Sequence, residues 1–132
     1  MYHSEITLST GKEEMIDITS DVRKIVKEST IKSGICLIYC PHTTAAITIN
    51  ENTDPDVKHD LLIGLNKAFP DEIDFRHEEG NSSAHLKSSC VGCSETAIIE
   101  KGDLVLGIWQ GIYFCEFDGP RKRMILVKIL SD

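Results

Sequence analysis

Two histidines bracket the polar segment HEEGNSSAH at residues 77–85, and His42 precedes two threonines in HTTAAITINEN. Neutral imidazole serves both as a metal ligand and as a general base near neutral pH. Three imidazoles around one open coordination position make a catalytic zinc site. The sequence thus predicts a divalent metal, with zinc as the leading candidate, held by His42, His77 and His85. A polar loop whose histidines bind backbone carbonyls is the alternative interpretation.

Carboxylates near these histidines are candidates for proton transfer or for orienting a ligating imidazole. A carboxylate in either role must lie beside the histidine or the substrate, whereas one on a solvated loop needs no partner. We predict four catalytic candidates, namely Glu51, Asp60, Glu79 and Glu116. The acidic composition of the chain makes solvated surface carboxylates the competing explanation, above all for Glu79.

A small anion is the ligand that the remaining polar residues favour. Gly80, Asn81 and Ser88 offer backbone N–H groups, an amide and a hydroxyl, and Lys87 and Arg123 offer positive charge. Neither GxxxxGK[ST] nor GxGxxG occurs, so the sequence contains no nucleotide cofactor motif. We therefore predict binding of a small phosphorylated or anionic molecule. Trp109 and Gln110, between two apolar runs, fit a pocket wall or the core.

The elements that must position these residues follow from hydrophobic periodicity. Alternation predicts strands over 4–10 and 14–19, paired as a hairpin around Gly11. A helix is predicted over 21–33, with Thr19 or Ser20 as its cap. Asp54 and Pro55 mark the start of a second helix within 53–69. Residues 71–83 form a polar loop and 83–89 a short helical turn. Further strands are predicted over 35–40, 45–50, 95–100, 104–110, 112–118 and 123–130.

Strands, two main helices and then more strands indicate an α+β fold with an antiparallel-dominated, curved sheet. The 132 residues contain no repeat or linker, so one domain over 1–132 is expected. Because so many strands leave edges to cover, a symmetric oligomer is also expected.

Charge and hydropathy restrict the partners and the compartment. Fourteen basic and 21 acidic residues give a net charge of −7, which argues against nucleic acid as a partner. The N-terminus does not resemble a signal peptide, and no apolar run approaches the roughly 18 residues of a membrane span. We expect a cytoplasmic protein that does not enter membranes, with five reduced cysteines. Cys90 and Cys93 in CVGC fit a redox pair, half a zinc site or incidental thiols.

Several unusual polar motifs occur together in one order: HTTAAITINEN, DPDVKHDL, HEEGNSSAHLKSS and KGDLVLGIWQGIYFCEFDGPR. In that order they resemble the YjbQ-like family of bacterial and archaeal proteins, over residues 5–130. The resemblance implies a barrel-like α+β fold, a homotrimer and the family label of secondary thiamine-phosphate synthase. That label refers to a weak activity, which joins hydroxymethylpyrimidine diphosphate to thiazole phosphate and releases pyrophosphate.

The resemblance also singles out polar positions that periodicity alone does not. It adds Thr43, Thr44 and Asn50 to the substrate-binding candidates, and it includes the histidines and carboxylates named above together with His59. Cys90 and Cys93 are outside the family pattern. An enzyme of phosphorylated substrates is the leading hypothesis. A metal-assisted hydrolase and a non-catalytic trimeric module that binds a small anion are the alternatives.

Overall fold

The computed structural model describes residues 2–132, which form eight strands and three helices. The α+β class, with antiparallel strands curled into a half-barrel, is confirmed. In chain order the elements are β1 (Tyr2–Ser9), β2 (Glu14–Asp17), α1 (Thr19–Ser29), β3 (Gly34–Tyr39), β4 (Ala45–Glu51), α2 (Pro55–Ala68), α3 (Ser82–Val91), β5 (Ser94–Glu100), β6 (Asp103–Val105), β7 (Gln110–Glu116) and β8 (Lys122–Ser131).

Two antiparallel sheets share one apolar core. The larger sheet has the strand order β1-β8-β3-β5-β6, and the smaller has the order β2-β7-β4. Ile38 and Ile125 of the larger sheet, Phe114 of the smaller sheet and Val22 of α1 belong to the same buried cluster. On the other side of the smaller sheet, Tyr113 belongs to a second cluster, against which leucines of α2 pack. The smaller sheet is thus covered on both faces.

The predicted hairpin between the first two strands is wrong. β1 pairs with β8 of the larger sheet, and β2 pairs with β7 of the smaller sheet. Both strands have the expected alternation, and Gly11 does lie in the turn between them. The turn instead carries the chain from one sheet to the other, where the backbone N–H of Thr10 donates to Arg121 O at 3.0 Å.

The helices differ from the prediction in their ends and in their number. Asp54 caps α2 by accepting from the backbone N–H of Asp56 at 2.9 Å, and Pro55 follows, as predicted. α1 begins at Thr19 without a side-chain cap and ends before Thr30, which adopts the left-handed conformation. The short turn predicted over 83–89 is a full helix, α3, so three helices replace the expected two.

The strand predicted over 104–110 is also shorter than expected. β6 ends at Val105, and β7 already begins at Gln110. The amide of Gln110 closes the turn between them, since its Oε1 accepts from the backbone N–H of Gly107 at 2.8 Å. Ile108 and Trp109 therefore lie in a turn and are exposed. The described part of the chain contains no helix with the length and apolar character of a bilayer-spanning segment.

Candidate functional site

A cleft of about 620 Å³ lies between the β3–β4 connection and the C-terminal half of α3. His42 and Thr43 line it from the connection, and His85 and Ser88 line it from α3. α3 is held there because Ser88 Oγ donates to the backbone O of Ala45, the first residue of β4, at 2.7 Å. The fold thus brings together four predicted site residues from distant parts of the sequence.

His42 is fixed through one ring nitrogen. Its Nε2 lies 3.0 Å from the backbone N and 3.1 Å from the O of Met124, in β8. Burial, with the nearby Arg123 guanidinium second, lowers the pKa of His42 from its ordinary value of 6.5. The ring is therefore neutral at neutral pH, and its Nδ1 is the nitrogen left for a ligand.

His77 extends the histidine group beyond the cleft. Its ring meets the ring of His85 edge to face, with centroids 5.4 Å apart. Across residues 2–132, however, no group of three or more His, Cys, Asp or Glu side chains is arranged to hold a metal ion. The three histidines share one region, but their rings do not converge on one metal position in this arrangement.

Below the cleft, Glu116 and Arg123 form a buried ion pair. Arg123 Nε donates to Glu116 Oε1 at 2.7 Å, and Arg123 Nη2 donates to Thr44 Oγ1 at 2.8 Å. Thr10 Oγ1 also donates to Glu116 Oε1, at 2.6 Å. Burial pushes the pKa of Glu116 upward, but the hydrogen bonds from Arg123 and Thr10 outweigh it and hold that pKa below its ordinary value. Glu116, Thr44 and Arg123 are therefore occupied with one another rather than open to a substrate.

The loop that precedes α3 carries a second polar cluster. Asn81 Nδ2 donates to Asp118 Oδ2 at 2.7 Å, and the same oxygen accepts from Arg121 at 3.0 Å. Glu79 lies near this amide, 3.5 Å from Nδ2, and Gly80 takes a positive φ of 72°. Among the described residues, Asn81 Oδ1 is the buried side-chain polar atom that lacks a hydrogen-bond partner. These groups surround the start of α3, where a helix leaves backbone N–H groups unpaired.

Other predicted residues lie away from the cleft. In the smaller sheet, Ala45 of β4 pairs with Glu116 of β7 at one end, and Glu51 pairs with Gln110 at the other end. At about 3.3 Å per residue, the two ends are about 20 Å apart. The group at the distant end consists of Asn50, Glu51, Trp109 and Gln110.

Two further predicted residues also point elsewhere. Lys87 is buried beside α2, where Nζ hydrogen-bonds Asn66 Oδ1 and lies 3.6 Å from Glu13 Oε2. Asp60 lies exposed on α2 next to His59, whose Nδ1 is 3.1 Å from Asp60 Oδ1. Neither lines the cleft that contains His42 and His85.

Cys40 and Cys93 also line the cleft, although neither was among the predicted site residues. Cys40 follows an apolar strand and reads as a core residue, while Cys93 reads as half of CVGC. Only the pairing of β3 with β5 places them at the same cleft.

Residues 4–132 match the family described as UPF0047 protein, YjbQ-like. The chain is 57% identical to the UPF0047 protein YugU of Bacillus subtilis, over 93% of this chain and 94% of that protein. It is similar in fold to a YjbQ/UPF0047 protein of Clostridium acetobutylicum, described as uncharacterized, with a TM-score of 0.94, 55% identity and coverage of 96% and 99%. A YjbQ-like protein of unknown function from Sulfolobus solfataricus gives a TM-score of 0.95 at 38% identity, over 99% of this chain and 97% of that one. The chain therefore belongs to the UPF0047 family of YjbQ-like proteins.

Proposed function

We propose that the protein is an enzyme that binds a small phosphorylated molecule at the cleft and transfers or releases its phosphate-containing group. The observation that carries this proposal is the presence of His42 and His85 in one cleft, although they come from separate elements. Two imidazoles facing one ligand can donate and accept protons near neutral pH. Thr43 and Ser88 supply hydroxyl oxygens to the same space.

The start of α3 is the proposed position of the phosphate group. The first N–H groups of a helix and its dipole favour a negative charge. Gly80 and Asn81 lead into this helix, Arg121 is held close by Asp118, and the His77 ring contacts His85. The ligand would thus extend from the helix start, past His85, into the cleft. The unpaired Oδ1 of Asn81 favours a ligand that also carries a hydrogen-bond donor.

Thiamine-phosphate synthesis is the reaction within this proposal that can be assayed directly. Joining the two phosphorylated halves requires departure of pyrophosphate, which a proton or a positive charge assists. In our proposal His85 supplies that assistance, and His42 orients the second half through Nδ1. The family label makes this a secondary activity, so the physiological substrate is another small phosphorylated molecule of the same chemical class.

A divalent metal, with zinc first, is a further component of the proposal and would be held by His42, His77 and His85. The neutral ring of His42 and the contact between the other two rings support it. Binding would require the three rings to approach one another. A metal-assisted hydrolase is the second reading of this arrangement. Metal analysis of protein purified without chelator, followed by zinc reconstitution, tests this component, and the absence of stoichiometric metal in both would remove it.

We further propose that the protein is a cytoplasmic homotrimer. The outer face of the larger sheet carries an exposed apolar row. A row across four strands is formed by Leu130, Ile35, Ile98 and Val105, whose exposed fractions are 40%, 41%, 55% and 48%. A contiguous apolar face on a folded chain is typical of a surface that a partner covers. A second copy of this chain is the occupant that a symmetric oligomer provides.

The decisive experiment compares His42→Gln and His85→Gln with His59→Gln, which changes an exposed histidine on α2. Thiamine phosphate and pyrophosphate are measured from the two phosphorylated halves. We expect His85→Gln to lose about 100-fold or more in rate, the usual contribution of an acid–base group. His42→Gln should also lose rate, because the second half is no longer oriented, and the control should retain its rate. Equal rates in all three would remove the cleft from the reaction. Tight binding by a wild type without turnover would support the small-anion binding module instead.

A further inference from the structure

Two cysteines lie opposite one another where β3 ends and β5 begins. The register pairs Tyr39 with Ser94, the last residue of β3 with the first of β5. The pairing continues one step further, since the backbone N–H of Cys40 donates to Cys93 O at 2.7 Å. Cys40 and Cys93 are therefore directly opposed residues of an antiparallel ladder, although they are far apart in the sequence.

Their side chains lie on the same side of the sheet. Strand side chains alternate, and those of Ile38 in β3 and Ala97 in β5 face the core. Cys40 is two residues beyond Ile38, and Cys93 is four residues before Ala97, so both are on the same side of the sheet, at the end where the cleft lies. Directly opposed, hydrogen-bonded residues have Cα atoms about 5.5 Å apart, which falls within the range of about 4.4–6.8 Å found for disulfides.

The two thiols differ in their exposure to solvent. Both residues line the cleft, but Cys40 is 1% exposed and Cys93 is exposed. Cys93 is thus the thiol that a dissolved oxidant reaches, and Cys40 is the buried thiol beside it.

We propose that Cys40 and Cys93 are an oxidation site that closes into a disulfide across the floor of the cleft. In the first step the Cys93 sulfur attacks a peroxide oxygen, the O–O bond breaks, and a sulfenic acid and water form. In the second step the Cys40 sulfur attacks the sulfenic sulfur, and a second water leaves. Hydrogen peroxide is reduced by two electrons, and the two thiols are oxidised by two electrons.

The disulfide would change the cleft because of what its two ends carry. Cys40 is two residues before His42, and its thiol lies 3.9 Å from the backbone O of that residue. Cys93 follows Gly92, which ends α3 with a positive φ of 106° and lines the cleft as well. The bond would fasten the His42 segment to the end of α3. Reduction by a thiol would release it.

The neighbouring Cys90 defines the competing outcome. It lies in the last turn of α3 and completes the CVGC motif, but it is outside the set of residues that line the cleft. A disulfide within CVGC would join the end of α3 to the residue just before β5. Such a bond would leave the β3 side of the cleft untouched. The two pairings therefore differ in which variant prevents them.

The experiment treats full-length wild type, Cys90→Ser, Cys93→Ser and the double variant Cys40→Ala/Cys90→Ser with hydrogen peroxide. Free thiols are then titrated in denaturant, and tryptic peptides are mapped without reductant. We expect wild type and Cys90→Ser each to lose two thiols and to yield peptide 33–58 linked to peptide 88–101. The Cys93→Ser and double variants should yield no such linked pair. Dithiothreitol should restore the lost thiols.

Three results would overturn the proposal. These are a wild type without the linked peptides, a disulfide that disappears in Cys90→Ser, and linked peptides that persist in the double variant. Circular dichroism of each variant checks the fold. Because Cys93 is exposed, its serine variant keeps the test valid even if replacing the buried Cys40 unfolds the protein.

Discussion

Individual polar residues around the cleft divide into those that face it and those that hold the fold together. His42 and His85 line the cleft, whereas Glu116 and Arg123 are 0% and 5% exposed and satisfy one another. All four looked alike in the sequence, because each is a residue type that can act on or bind an anionic substrate. The buried pair sets the position of Thr44, and so supports the segment that carries His42.

Replacing Arg123 with alanine should strongly destabilise the protein. The substitution leaves the Glu116 carboxylate buried without its partner, which costs about 3–5 kcal/mol of the free energy of unfolding. Arg121→Ala is the matched control, because this arginine is exposed and pairs with Asp118 at the surface. Urea unfolding measures both. Similar free energies for the two variants would contradict the buried pair as we describe it.

The helices and strands position these residues through pairings that are distant along the chain. β3 lies between β8 and β5, and its first residue, Gly34, comes against the backbone of β8. A Cβ atom on Gly34 would lie 2.0 Å from Leu130 O, far inside van der Waals contact. Gly64, within α2, differs in that a Cβ atom there would meet no described atom within 4 Å. The same residue type is thus required in one element and dispensable in the other.

Alanine at these two glycines should change stability in opposite directions. Gly34→Ala should destabilise the protein by about 1–3 kcal/mol or more, because a backbone carbonyl cannot move aside without breaking the β3–β8 ladder. Gly64→Ala should stabilise it by about 0.5–1 kcal/mol, because alanine loses less conformational freedom in a helix. Urea unfolding midpoints compare the two. A stable Gly34→Ala protein would show that the strands are not this close.

At the scale of the whole molecule, the packing of the layers leaves the outer face of the larger sheet uncovered. The smaller sheet is covered on both sides by the two apolar clusters, and β7 is accordingly buried almost throughout. The larger sheet has its core on one side only, and Ile98 on its outer face is 55% exposed. The proposed trimer would cover this apolar face.

Ile98→Lys should dissociate the proposed trimer. A lysine in the middle of the apolar row would have to be buried as an unpaired charge when the copies associate. Glu28→Lys on α1 is the control, since it also introduces a lysine but lies on the helix that packs against the opposite side of the sheet. Light scattering gives the masses. A wild-type monomer, or an Ile98→Lys variant that keeps the wild-type trimer mass, would count against this interface.

The sequence by itself determined the fold class, most of the strands, the start of α2 and the family motifs. These follow from period-two alternation, from Asp54 and Pro55 and from local polar patterns, all of which act over a few residues. The tertiary structure alone decided that β1 and β2 belong to different sheets, that Glu116 neutralises Arg123, and that His42 and His85 line one cleft. It also decided that Cys40, rather than only Cys90, lies beside Cys93. Strand register and burial depend on the packing of distant segments, which local residue patterns do not record.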